Sequence, residues 1–118
     1  MHRICYYVVW SVRRGSAVFK NDAARDDCEQ LIRQTCRSRR WDVLEIEVLP
    51  NHVRLAVQVW PADAADKVIR ACKDATVQLR ERWQPTLPSM WTHGFLVDTQ
   101  PPDEEAIQQH LLAERERG

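Results

Sequence analysis

Along residues 45–60 apolar and polar side chains alternate, break at Pro50-Asn51, and alternate again, the pattern of a β-hairpin. One face of the predicted hairpin carries Val48, Val53, Leu55, Val57 and Val59; the other carries Glu45, Glu47, His52, Arg54 and Gln58. With Pro50-Asn51 as a two-residue connection, Leu49 faces His52 and Glu47 faces Arg54. Residues 5–12 are β-branched and aromatic, with no breaker before Arg13-Arg14-Gly15. They predict a first strand with Tyr6, Val8, Trp10 and Val12 on one side and Tyr7, Val9 and Ser11 on the other. Between these stretches Ala24, Cys28, Leu31, Ile32, Thr35 and Cys36 recur at helical spacing behind an Asn21-Asp22 cap, predicting a helix over residues 22–38.

Past the hairpin, Ala65, Val68, Cys72, Ala75, Leu79 and Trp83 form one helical stripe. It predicts a second helix capped by Asp63 and ended by Pro85. Residues 90–98 are a candidate strand. Pro101-Pro102-Asp103 then opens a last helix with Glu104 and Glu105 in its first turn, where acidic groups complement the dipole. In that helix Ile107, His110, Leu111 and Glu114 share a face. The order strand, helix, strand, strand, helix, strand, helix predicts an α+β fold of the ferredoxin-like split βαβ plan: an antiparallel sheet with helices on one face, plus a C-terminal helix. The polar side of the hairpin is then open unless the last helix crosses it.

A chain of 118 residues is expected to be a single domain over residues 1–118 and can bury a core. Seventeen basic and seventeen acidic side chains cancel, so no global field announces a nucleic-acid partner. Arg13-Arg14 and Arg37, Arg39, Arg40 are local basic clusters, read equally well as solvated loop and helix ends or as phosphate contacts. Cys5, Cys28, Cys36 and Cys72 have no CxxC spacing, and Cys28 and Cys36 fall on the apolar helix stripe, which favours buried reduced thiols. The first apolar run is too short to span a bilayer and lacks the flanks of a signal peptide, so a cytoplasmic protein with no membrane partner is expected.

Several segments, in chain order, carry a resemblance. Residues 7–11, Tyr-Val-Val-Trp-Ser, look like an opening strand in which tyrosine or histidine precedes a valine-tryptophan run. Residues 48–55, Val-Leu-Pro-Asn-His-Val-Arg-Leu, look like a hairpin that normally reads methionine-proline-aspartate-histidine-valine-histidine-leucine. Lys73-Asp74-Ala75-Thr76, the strand beginning at Trp91, and residues 107–114 match further pieces. Together they resemble the single-tyrosine HUH transposases of the insertion sequence 200/605 family. The resemblance implies a site in which two histidines on one strand bind a divalent metal, and the metal polarises a scissile phosphate. A helix tyrosine then attacks to give a phosphotyrosine link to single-stranded DNA. It also implies hairpin DNA as substrate and a homodimer that can place one subunit's tyrosine helix over the other's histidines.

This chain departs from that pattern in the site. The first histidine is His52, but the second is Arg54, the tyrosine position is His110 and the glutamine position is Glu114. These four are the family-equivalent catalytic positions. Guanidinium has no lone pair for a metal, so Arg54 is read either as a bidentate phosphate ligand or as a partner of Glu47. His110 is a nucleophile giving a phosphoramidate, or a surface or dimer-contact histidine. The only tyrosines, Tyr6 and Tyr7, lie on the first strand. His52, His110 and Glu114 are a candidate metal set for Mg, Mn or a transition metal; otherwise no cofactor is expected. The leading expectation is a transposase-like protein that binds single-stranded or hairpin DNA without tyrosine-dependent cleavage. Its phosphate contacts would come from Arg13, Arg14, Arg37, Arg39, Arg40 and Lys73. The alternatives are a nuclease or strand-transferase with an altered site, and a structural dimer with no nucleic-acid role.

Overall fold

The structure, a computed structural model, describes residues 2–117. Its strands form one antiparallel sheet in the order β2-β3-β1-β4, with β1 Ile4–Ser11, β2 Asp42–Leu49, β3 His52–Val59 and β4 Leu96–Asp98. Helices α1 (Asp22–Ser38) and α2 (Ala65–Thr76) follow β1 and β3, as the split βαβ plan requires. Asn21 caps α1 by accepting from the backbone N–H groups of Ala23 and Ala24.

The hairpin register is as expected: Leu49 lies opposite His52, and Glu47 opposite Arg54. The β2 ladder shifts between Val43 and Glu45, so Leu44 is an extra residue. That bulge has a steric purpose. Val43 and Ile46 are an odd number of steps apart, yet both pack against the core; one inserted residue restores the alternation.

The core lies between the sheet and the helix pair. Val8, Trp10, Val12, Val53, Leu55, Val57 and Val59 on the sheet meet Ala24, Cys28, Ile32, Cys36, Val68, Ile69 and Cys72 on the helices. The four cysteines are free thiols, and burial pushes the Cys28 thiol up to about 12, making it inert packing material.

Three details differ from expectation. The second helix stops at Thr76, and the stripe resumes as a separate short helix α3, Leu79–Trp83. Thr76 Oγ1 donates back to the Cys72 carbonyl and accepts from the Trp91 indole, a side-chain competition that loosens the last turn. Asp63 does not cap α2. Ala64 is the capping residue and has no side-chain bond, while Asp63 accepts from Trp41 Nε1 and Lys67. Of residues 90–98 only Leu96–Asp98 pairs as a strand. Trp91 makes a single bridge to Val12, and the carbonyls of Thr92 and Gly94 are taken by Lys73 rather than by a ladder.

Helix α4 (Glu104–Arg117) crosses the other face of the sheet. Its buried Ile107 sits over Tyr7, Val9 and Ala56, and its end reaches the 3-10 turn Arg13–Gly15. The face that the sequence leaves polar is thus partly covered, and the residues beneath α4 form the site.

Candidate functional site

Ser11 and His52 are cross-strand neighbours, as are Val9 and Arg54. Alternation on β3 therefore puts His52 and Arg54 side by side beneath α4. His52 is only 4 % exposed. Its Nδ1 lies 2.8 Å from Asn51 Oδ1, and its Nε2 lies 3.0 Å from Arg54 Nε. Arginine Nε can only donate, so Nε2 is the acceptor and the ring proton sits on Nδ1, donated to Asn51. Burial, and then the neighbouring Arg54 charge, lower the His52 pKa to about 4. The ring is neutral at pH 7 with both nitrogens engaged.

Arg54 is clamped from the opposite side. Its Nη1 and Nη2 donate to the two carboxylate oxygens of Glu104, each at 2.8 Å, the parallel fork that guanidinium prefers. This fork and a bond from Gln108 hold the Glu104 carboxyl down to about 2. Glu47 faces Arg54 in the ladder, but the pairing expected between them is replaced by the one to Glu104. The reason is reach: the first turn of α4 brings a carboxylate end-on to the guanidinium, whereas a cross-strand neighbour lies beside it.

His110 and Glu114 turn away from His52. Glu114 is 3 % exposed and packs against Gly94. A Cβ at Gly94 would lie 1.6 Å from Glu114 Oε1 and 2.7 Å from its Cδ, so a side chain there would force the buried Glu114 carboxylate out of its place. His110 Nε2 is 3.9 Å from Glu114 Oε1, buried and without a hydrogen-bond partner among the described residues. Burial lowers its pKa, partly offset by Glu114. The hollow of about 280 Å³ beside His52 is lined instead by Ser11, Asn51, Gln108, Leu111 and Arg115, among others. Among the described residues no three His, Cys, Asp or Glu side chains form a metal-binding group. Within one chain, then, His52, His110 and Glu114 are not the ligand set their family positions suggest, because α4 presents Gln108 and Leu111 to His52 and His110 to the far side. The Gly94 contact is testable. Gly94→Ala is expected to cost about 1–3 kcal/mol in urea unfolding by overpacking, and most of that cost should vanish when Glu114→Ala is already present. Additive costs would remove this account of the glycine.

The basic residues divide by environment. Lys73 is half-buried, donates to the Thr92 and Gly94 carbonyls, and has its pKa lowered by burial; it braces the α4 docking surface. Arg13 donates to Ser89. Arg14, Arg37, Arg39 and Arg40 are exposed, and none appears in a salt bridge among the described residues. Arg115 lines the His52 hollow and packs on Gly15, the residue after Arg14 in the same turn. Arg37 and Arg40 lie at the start of β2 beside Trp41, at the opposite end of the hairpin and roughly 23 Å away at the usual rise per strand residue. Glu104, Gln108 and Arg115 complete the site but do not stand out in the sequence. Their only signal is an amphipathic helix with an acidic first turn, which does not reveal what it docks against.

The model of the transposase IS200-like family matches residues 1–110. The chain belongs to the IS200-like transposase family. It is 23 % identical over 127 residues to the ISDra2 transposase TnpA of Deinococcus radiodurans, covering 99 % of this chain and 88 % of that one. A crystal structure of a protein assigned as a transposase from D. radiodurans R1 matches the fold with a TM-score of 0.81 at 19 % identity, over 97 % of this chain and 92 % of the other. A REP-associated tyrosine transposase, solved bound to a REP hairpin, matches with a TM-score of 0.61 at 16 % identity, over 94 % of this chain and 66 % of its own. The match agrees with the family resemblance read from the motif segments. The same comparisons agree with the ferredoxin-like architecture. No described helix is long and apolar enough to cross a membrane.

Proposed function

We propose that this IS200-like family member binds single-stranded or hairpin DNA and does not cleave it through a tyrosine. The observation that carries the reading is the closed state of the cleavage position. His52 has both nitrogens engaged by Asn51 and Arg54, and the nucleophile position holds His110, turned toward Glu114. No tyrosine lies on α4, so the family's transesterification has no attacking group there. DNA binding is supported by the scaffold it shares with a hairpin-bound relative. It is supported locally by Arg115 in the lining of the His52 hollow, by the exposed Arg14 in the turn that Arg115 packs on, and by Arg37, Arg39 and Arg40 at the other end of the sheet. A homodimer belongs to the same reading, and light scattering tests it directly.

The test is fluorescence anisotropy with labelled hairpin and single-stranded oligonucleotides across a salt series. Binding should weaken steeply with salt, and charge removal at Arg14 or Arg37 should shallow the slope by about one phosphate contact each. Absence of binding at low salt refutes the reading. Metal-dependent strand cleavage that His52→Ala abolishes would instead establish an altered nuclease.

A further inference from the structure

We infer that the cation of this site is Arg54 itself: the guanidinium occupies the place of the family's second metal ligand, takes the His52 lone pair, and makes the site a metal-independent pocket for one DNA phosphodiester, with the Glu104 carboxylate as its resting occupant. The inference deepens the DNA-binding reading and rests on it for the ligand's identity, but not for the cation's.

The donor set does not fit a divalent metal. A metal at His52 needs a free imidazole lone pair. Nδ1 carries the proton donated to Asn51, and the Nε2 lone pair receives Arg54 Nε at 3.0 Å. A second cation would also stand beside a permanent guanidinium charge. The positive charge needed near an anionic ligand is therefore supplied by the protein and is fixed to strand β3.

The shape of the anion follows from what Arg54 now holds. Glu104 fills the guanidinium fork with two coplanar oxygens at 2.8 Å each. The two non-bridging oxygens of a phosphodiester satisfy the same fork. Arg54 is anchored, with 25 % of its side chain exposed, whereas Glu104 is 62 % exposed on the first turn of α4, so the carboxylate is the partner free to leave. A hollow of about 310 Å³ opens beside the fork, with Tyr7, Val9 and Ala56 at its floor and Ile107 and the two prolines 101–102 along one wall. It offers an aromatic and apolar surface for the attached nucleotide. Glu45 and Glu47 also line it, and Arg54 is the single cation among the lining residues, so a phosphate is held here through the Arg54 fork against the repulsion of these two carboxylates.

Two measurements decide the matter. In thermal melts, the wild-type Tm should be the same in EDTA and in Mn²⁺ or Zn²⁺. Arg54→His should gain a metal-dependent rise that adding His52→Ala abolishes. A wild-type rise lost in His52→Ala, or no gain in Arg54→His, overturns the assignment, and neither outcome depends on DNA. In anisotropy with a short single-stranded oligonucleotide in EDTA, Glu104→Gln should bind about five- to tenfold tighter, and Glu104→Gln combined with Arg54→Gln should lose the gain. Binding by the wild type with no gain in Glu104→Gln overturns the phosphodiester pocket while leaving DNA binding intact. No binding by any variant overturns the functional reading, and the pocket's ligand with it.

Discussion

Trp91→Ala is expected to destabilise the protein by about 3–5 kcal/mol, the usual cost of emptying a large aromatic from a core. Trp91 stacks edge-on to Trp10 with ring centroids 5.9 Å apart and lies tilted against Phe19 at 5.8 Å. Its indole N–H donates to Thr76 Oγ1 at 2.9 Å, so truncation also removes a buried bond. The loss should not stop at the core. The next residues carry the Thr92 N–H bonded to Ser11 and the Thr92 and Gly94 carbonyls bonded to Lys73, and Gly94 is the floor for Glu114. Trp91 therefore fixes the surface on which α4 rests. Urea unfolding should show the large drop, and native-state hydrogen exchange should show α4 amides losing protection disproportionately. A drop below about 1 kcal/mol would mean that the segment relaxes into the hole.

Stability should also fall as the solution is acidified from neutral. The folded His52 pKa, about 4, lies below the ordinary value of about 6.5. The unfolded chain therefore takes up a proton before the folded one. The stabilisation is complete above about pH 6.5 and is lost as pH falls toward 4. Between pH 7.5 and 5 this one group contributes on the order of 2 kcal/mol. His110, lowered by burial, adds in the same direction. Glu104, held at about 2, acts at lower pH, its contribution being lost as pH falls through the ordinary carboxylate value toward 2. Chemical denaturation at stepped pH should give the slope, and His52→Gln should flatten it to the His110 contribution. A pH-independent wild type over that window would show that the His52 ring charges without cost.

Much of this architecture is written locally. The α1 boundaries follow from Asn21 and the cysteine stripe, and the hairpin register from Pro50-Asn51 and the alternation around it, because caps, turns and period-two patterns depend on neighbours in sequence. The family could be read from the same local strings. What could not be read is every contact made by α4. Nothing near residue 54 says that its charge partner is residue 104 rather than residue 47. Likewise, nothing on α4 says that Glu114 packs on Gly94 while Gln108 lines the His52 hollow. An amphipathic helix declares which side is buried but not its axial register on a surface. The same limit explains Lys73. As a sequence position it is a surface cation beside an acidic residue, and only the fold reveals that two backbone carbonyls need it.

The extra residue in β2 has a bearing on how this sheet avoids uncontrolled pairing along its edge. β2 is an outer strand of the sheet, and an outer strand offers unpaired amides to any passing strand. Leu44 interrupts that row near its start and stands 53 % exposed, while Glu45 and Glu47 place like charges along the remainder. A flat, regular edge would invite fibrillar stacking. This one is kinked at one end and charged at the other, so the same insertion that seats Val43 in the core also acts as a gatekeeper against strand-to-strand aggregation.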